Sequence, residues 1–492
     1  MGYQTWHFTA VCLLSAVASS GAIDKRVALD DCLASFKVPV FIPSSSDFTQ
    51  ATKPFNLRVP FEPVAYTVPS TVQHVQDAVS CGVTNKITVT AKSGGHSYGS
   101  HGLGGEDGHL IVDMRRFNTV TVDQAAHTAV VGAGGRLGNI ALALYAQGKQ
   151  ATGHGTCPGV GVSGLTLHGG YGLTSRSKGL TLDNLFEATV VLANSTVVTI
   201  SQTQNFDLFW AMRGAGAAFG IVTEFKFKTF TAPENNIVFQ YNLSPSNSAS
   251  LVDALTILQN FSIYNQPPEL NMRWFLGQQL TGVYYGNRSS FDAIMTPLLS
   301  LLKIPTNNLQ NAVSTKGWLD TLTFFSNGPL AQPEIYDYHE TFFAKSLMPE
   351  YLSPAAMKAL ADYYFSTARH VRRGWYLLID LHGGANSAIS SIPVNATAYA
   401  HRKAVFKMQF YDVVFGGTYQ PQYFEFLNGW VKAIEDAMPG ENMGMYVNYA
   451  DTSLNRTEAH RRYWGSNYER LVAIKKGFDP RGVFEGPQLV GG

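Results

Sequence analysis

Residues 153–172 read GHGTCPGVGVSGLTLHGGYG, and an earlier stretch, residues 91–99, reads AKSGGHSYG. Glycine at this density tolerates positive φ and lets a chain lie close against a neighbour, so neither run is expected to form a regular helix. Each run carries one reactive side chain, His96 and Cys157. Taken singly, a turn histidine is structural and a thiol among small residues is buried and inert. The common phosphate motifs do not fit. There is no G-x-x-x-x-G-K-[S/T], and GAGGRLG (132–138) has Leu137 where the dinucleotide fingerprint needs its third glycine. A nicotinamide-type Rossmann site is therefore not expected.

Working outward, residues 56–145 alternate β-rich runs (AYTVPS, KITVTAKSGG, HLIVDM, TAVVGAGG) with apolar residues at helical spacing in TVQHVQDAVSCGVTN and RLGNIALALYAQG. LDNLFEATVVLANSTVVTI reads as strand, turn, strand. This is α+β or α/β wiring. Composition shifts near Thr231, and beyond it RWFLGQQLTGVYYGN and WYLLIDLHGGANS alternate as strands do. The tail YWGSNYERLVAIKKGFDPRGVF predicts one amphipathic helix ended at Gly477 and Asp479-Pro480. There is no internal repeat.

Residues 8–18, FTAVCLLSAVA, followed by SSGA, predict a signal peptide over 1–22 that is cleaved after Ala22. N-x-[S/T] sequons begin at Asn194, Asn242, Asn260, Asn287, Asn395 and Asn455. The expectation is a secreted, glycosylated protein with no membrane span. With 45% hydrophobic and 14% charged residues and a net charge of +1, nothing marks a nucleic-acid partner. Cys12 leaves with the leader. Cys32 and Cys81 are read as a disulfide, which makes Cys157 the odd thiol. Glu106, Asp107, His101 and His109 lack metal-ligand spacing, so no metal site is expected. The rest of the chain is long enough for two domains.

The two glycine-rich runs, followed in order by GLTLDNL, DLFWAMRGAGAAFGIVTEF, DLHGG, NYADTSL and the closing YWGSNYERLVAIKKGFDPRGVF, resemble the berberine bridge enzyme-like FAD-linked oxidases of the vanillyl-alcohol-oxidase fold. Among these they are most similar to the secreted fungal oligosaccharide oxidases. The resemblance implies a two-domain α+β flavoprotein. A discontinuous FAD domain would comprise 23–232 and a C-terminal return, 442–492. Residues 233–441 would form a substrate domain on an antiparallel sheet.

It further implies FAD linked twice, from His96 to the 8α-methyl and from Cys157 to C6. A thiolate is a good nucleophile toward electron-poor carbon. Ser93, Gly94, Gly95, Ser97, Gly161, Gly164, Gly170, Tyr171, Gly172, Ile221 and Val222 match the family's cofactor-binding positions. Val160 matches the position whose small side chain leaves the flavin open to oxygen. Tyr449 matches the catalytic base, and Asp380 the carboxylate hydrogen-bonded beside it. The carboxylate is needed because a free phenol, with a pKa near ~10, is a poor base at neutral pH. By strand periodicity Tyr446 would point away from Tyr449. Tyr98 and Gln409 match substrate contacts, whereas some relatives carry a polar residue at Leu378 and an acidic residue near Phe275.

The implied reaction oxidises the anomeric hydroxyl of an oligosaccharide with O2 as acceptor, in a monomer. Three alternatives stay open: an aromatic or alkaloid-like substrate, a dehydrogenase serving another acceptor or a redox partner, and a carbohydrate-binding protein with a structural flavin. Trp274, Phe275, Tyr284 and Tyr285 either stack against sugar rings or divide between core and sheet surface.

Overall fold

The computed structural model describes residues 26–305, 312–326 and 328–491. The expected signal peptide lies outside the described residues. Near the N-terminus the helix Val72–Thr84 starts at Thr71, whose hydroxyl accepts from the amide of His74 at 3.2 Å. It buries Val75, Ala78 and Val79 against a three-stranded parallel sheet. That sheet runs Ala65–Thr67, Leu110–Asp113, Val89–Lys92. Ser93–Tyr98 therefore leaves the carboxyl end of a parallel strand, where open sheets of this kind present ligands. The disulfide Cys32–Cys81 pins the first helix of the described chain to this unit.

A five-stranded antiparallel sheet follows, in the order Val120–Asp123, Thr128–Gly132, Ile221–Lys228, Leu185–Val191, Val197–Ser201. The glycine-dense stretch is not continuous coil. It forms two short helices, Val162–Leu167 and Ser175–Lys178, on either side of Gly169 and Gly170, whose φ values are +134° and +84°.

Residues 236–414 supply a seven-stranded antiparallel sheet ordered Val313–Lys316, Asn236–Asn242, Gln279–Tyr284, Leu270–Phe275, Gly374–Leu381, Phe406–Val414, Thr341–Leu347. Its two faces have different covers. Met272, Trp274, Leu377, Ile379, Phe406, Met408 and Phe410 belong to the main core, which also takes in Leu255 of helix Ser248–Asn260, Leu360 of Pro354–Ser366 and Trp430 of Phe424–Asp436. The alternating residues Arg273, Phe275, Leu378, Asp380, Lys407 and Gln409 face a cavity instead. Period 2 thus divides the aromatics that the sequence left open. Trp274 is core, Tyr284 is buried, and of the four residues Phe275 reaches the cavity wall.

The tail forms two helices rather than the one expected. Arg456–Trp464 and Tyr468–Phe478 are separated by a 3-10 turn at Gly465–Asn467, where Gly465 takes φ +48°. Trp464 donates its indole N–H to Gly214 O at 3.0 Å, and Lys475 donates to Ala218 O at 2.6 Å. The amide of Val89 donates to Val483 O at 2.8 Å, so the last residues sit beside the strand that launches the His96 loop. No helix among the described residues is long and apolar enough to cross a membrane.

Candidate active site

A cavity of about 730 Å³ runs from the His96 and Cys157 loops to the open face of the seven-stranded sheet. Ser93, Gly94, Gly95, His96, Ser97, Tyr98, Cys157, Val160, Gly161, Gly164, Tyr171, Gly172, Val222, Asp380, Gln409 and Tyr449 all line it. Two expected contributors do not. Ile221 is fully buried in the core behind the His96 loop, because strand alternation sends it away from its neighbour Val222. Gly170 lies behind the wall, its amide donating to the Tyr446 hydroxyl at 2.9 Å.

The two loops meet backbone to backbone. A Cβ on either Gly94 or Gly161 would overlap the other residue's main chain, so only glycine permits the approach. His96 stacks under Phe55 with ring centroids 3.7 Å apart. Burial, reinforced by the Arg136 cation, lowers its pKa to about 4, so the imidazole is neutral with a free lone pair. Cys157 is a free, exposed cysteine that lines the cavity. Burial pushes the thiol above its usual value, and Arg273 opposes the shift.

The acid–base group differs from expectation in two ways. Tyr449 is not on a strand but ends a 3-10 turn, Val447–Tyr449. The rings of Tyr446 and Tyr449 therefore pack edge to face at 5.1 Å instead of pointing apart. Asp380 also makes no hydrogen bond to Tyr449. Lys407 stands between them, donating to Tyr449 Oη at 3.0 Å and to Asp380 Oδ2.

Cross-strand register accounts for this, since Asp380 is the direct partner of Lys407. The Lys407 ammonium also lies over the rings of Tyr449 at 4.5 Å and Tyr171 at 4.8 Å. Burial, and then Asp380, hold the Tyr449 phenol well above its ordinary pKa. An ion pair whose side chains are 1% and 5% exposed is weak evidence for stability, because the desolvation penalty rivals the attraction. Its position against Tyr449 points to chemistry.

Tyr98 stacks on Tyr449 at 5.7 Å and accepts from Gln409 Nε2 at 2.8 Å, so the two expected substrate contacts hold each other. Phe275 and Leu378 are direct cross-strand partners and form one apolar patch. Lys407 and Arg273 were missed from sequence. The signal for Lys407 was the polar alternation Lys407, Gln409, Tyr411 beside Asp380. Arg273 carries a buried Nε without a hydrogen-bond partner in the cavity wall. Among the described residues no cluster of three or more His, Cys, Asp or Glu is placed to hold a metal ion.

These walls fit a flavin. A Cβ on Gly164 would meet nothing within 4 Å, and His168 keeps a buried Nε2 without a partner on the same wall. The FAD binding domain family matches residues 63–201, and the Berberine and berberine like family matches residues 445–491. The xylooligosaccharide oxidase of Thermothelomyces thermophilus is 44% identical over 98% of this chain and 97% of its own. The chain belongs to the berberine bridge enzyme-like FAD-linked oxidases.

The glucooligosaccharide oxidase of Sarocladium strictum is 40% identical over 97% of each chain. Among solved structures, a xylooligosaccharide oxidase from Myceliophthora thermophila in complex with xylobiose superposes with a TM-score of 0.91 at 44% identity, over 94% of this chain and 99% of that one. A glucooligosaccharide oxidase from Acremonium strictum, described as holding 6-S-cysteinyl, 8α-N1-histidyl FAD, superposes at 0.90 with 39% identity over 94% and 99%. As a berberine bridge enzyme-like oxidase, the protein binds FAD.

Proposed function

We propose that the protein is a secreted oligosaccharide oxidase that converts the anomeric C1 hydroxyl of a reducing sugar to the lactone, which hydrolyses to the aldonic acid. The observation that carries this reading is the Tyr449–Lys407–Asp380 array on the cavity wall. His96 and Cys157 are the residues that hold the flavin, and residues 23–232 with 442–492 form its domain, with 233–441 presenting the sugar. When bound, FAD would supply the acceptor for the C1 hydride, with O2 as the final oxidant and hydrogen peroxide as its product.

The chain's own residues handle the proton. Tyr449 Oη takes it from the anomeric hydroxyl. The phenol first gives its own proton to solvent, the ionisation that sets the alkaline-rising limb of the rate, and the Lys407 ammonium stabilises the oxygen as it becomes anionic. Asp380 keeps Lys407 charged and aimed. The base is thus a tyrosine supported by a buried ion pair, and no proton passes directly to the carboxylate. Tyr98 and Gln409 steer the sugar ring over Tyr449. Val160, beside Cys157 on the cavity wall, leaves room for oxygen.

The Phe275–Leu378 patch favours a second reading, an aromatic or alkaloid-like substrate, because it offers an apolar surface. A panel of cello-, xylo- and chito-oligosaccharides against phenolic alcohols, read by peroxide release, separates the two. Peroxide equal to the oligosaccharide consumed is expected. Peroxide from phenolic alcohols alone overturns the sugar reading.

A further inference from the structure

Arg136 holds both glycine-rich loops with one nitrogen. Its Nη1 donates to Gly94 O at 2.9 Å and to Gly159 O at 2.6 Å. Gly94 lies two residues before His96, and Gly159 two residues after Cys157. The main chain reinforces the join. Arg136 forms a bridge with Gly161, Leu137 N donates to Val160 O at 3.0 Å, and Val162 N donates to Gly135 O at 2.9 Å. Tyr336 caps the guanidinium at 4.5 Å and packs on Gly159.

Among the described residues Arg136 makes no ion pair. Desolvation by burial, only partly offset by its neighbours, lowers its pKa to about 10. A half-buried guanidinium that spends its hydrogen bonds on carbonyl oxygens under an aromatic face, without a carboxylate, is costly to keep unless it does something a neutral residue cannot. A planar donor that reaches two carbonyls on two separate loops is such a task.

We propose that Arg136 is a positioning residue, fixing the His96 and Cys157 loops in the one relative placement from which a single flavin is linked to both. The proposal rests on the twofold attachment proposed above. Each linkage replaces a flavin C–H and a protein N–H or S–H by a C–N or C–S bond. For each linkage the two protons and two electrons released pass to one O2, which leaves as hydrogen peroxide. Attachment through the first loop restrains the ring, and the second bond closes only if the other loop stands at the correct distance.

The test uses full-length wild type, Arg136→Met and Arg136→Lys, each denatured and digested, with mass spectrometry of the flavin peptides. The share of flavin joined to both the His96 and the Cys157 peptide is the readout. In wild type this share is near complete. In Arg136→Met, misplacement on the ångström scale slows the second closure by about 10²-fold, and flavin on one peptide predominates. Arg136→Lys, with a compact ammonium, falls between. Melting curves on the same samples separate this role from a merely structural one, which would lower the melting temperature while leaving linkage complete in the folded fraction. If Arg136→Met does not fold, Arg136→Lys and Arg136→Gln decide the question by the same ratio. Complete double linkage in a folded variant overturns the proposal. Singly linked flavin in wild type overturns the twofold attachment itself, and the proposal with it.

Discussion

Tyr449→Phe reduces its flavin between about 10² and 10⁴ times more slowly than wild type when mixed anaerobically with oligosaccharide, while the flavin stays attached. The substitution removes one oxygen and little else. The Phe ring keeps its stack on Tyr98 and its edge contact with Tyr446, and Lys407 keeps Asp380. A loss of rate therefore reports the proton acceptor rather than a collapsed wall. Stopped-flow absorbance of the flavin is the measurement, and a rate equal to wild type removes Tyr449 from the mechanism.

Lys407→Met has the second large effect, and its sign follows from the groups around Tyr449. Burial and Asp380 both raise the phenol's pKa, and Lys407 is the cation that donates to its oxygen. Without it, the alkaline-rising limb of the reduction rate moves to higher pH, and the rate at neutral pH falls. Stability falls as well, by about 3–5 kcal/mol, because Asp380 is left buried without its counter-ion. The double variant Asp380→Asn, Lys407→Met regains most of that stability. Its pH limb lies between those of the single variant and wild type, since one source of the raised pKa is gone and the cation is still missing. A limb unmoved in Lys407→Met contradicts the role assigned to the lysine.

What could be read before the structure came from local rules and from the family resemblance. Glycine density marked the two loops that touch, and the resemblance singled out Asp380 and Gln409, which the structure places on the cavity-facing side of two paired strands. Lys407 escaped because Lys407, Gln409 and Tyr411 alternating with Phe406, Met408 and Phe410 is also how a strand with one wet face reads. Alternation tells which residues share a face, not whether that face meets solvent or an internal cavity. The error over Tyr446 and Tyr449 has a similar origin, since strand periodicity was applied to a segment that turns as 3-10 helix. Arg136 sits inside GAGGRLG, a run that fails as a phosphate motif and whose use depends on contacts with residues 94 and 159. The upward shift of the Cys157 thiol depends on burial by elements far apart in the chain.

The central claim is that His96 and Cys157, brought together across two loops, carry one flavin between them. Its most direct test is to denature the purified protein in acid, collect the pellet, and digest it. The account predicts yellow flavin in the pellet and one flavin joining the peptide that contains His96 to the peptide that contains Cys157. Flavin released to the supernatant, with Cys157 recovered as a free thiol, would contradict it.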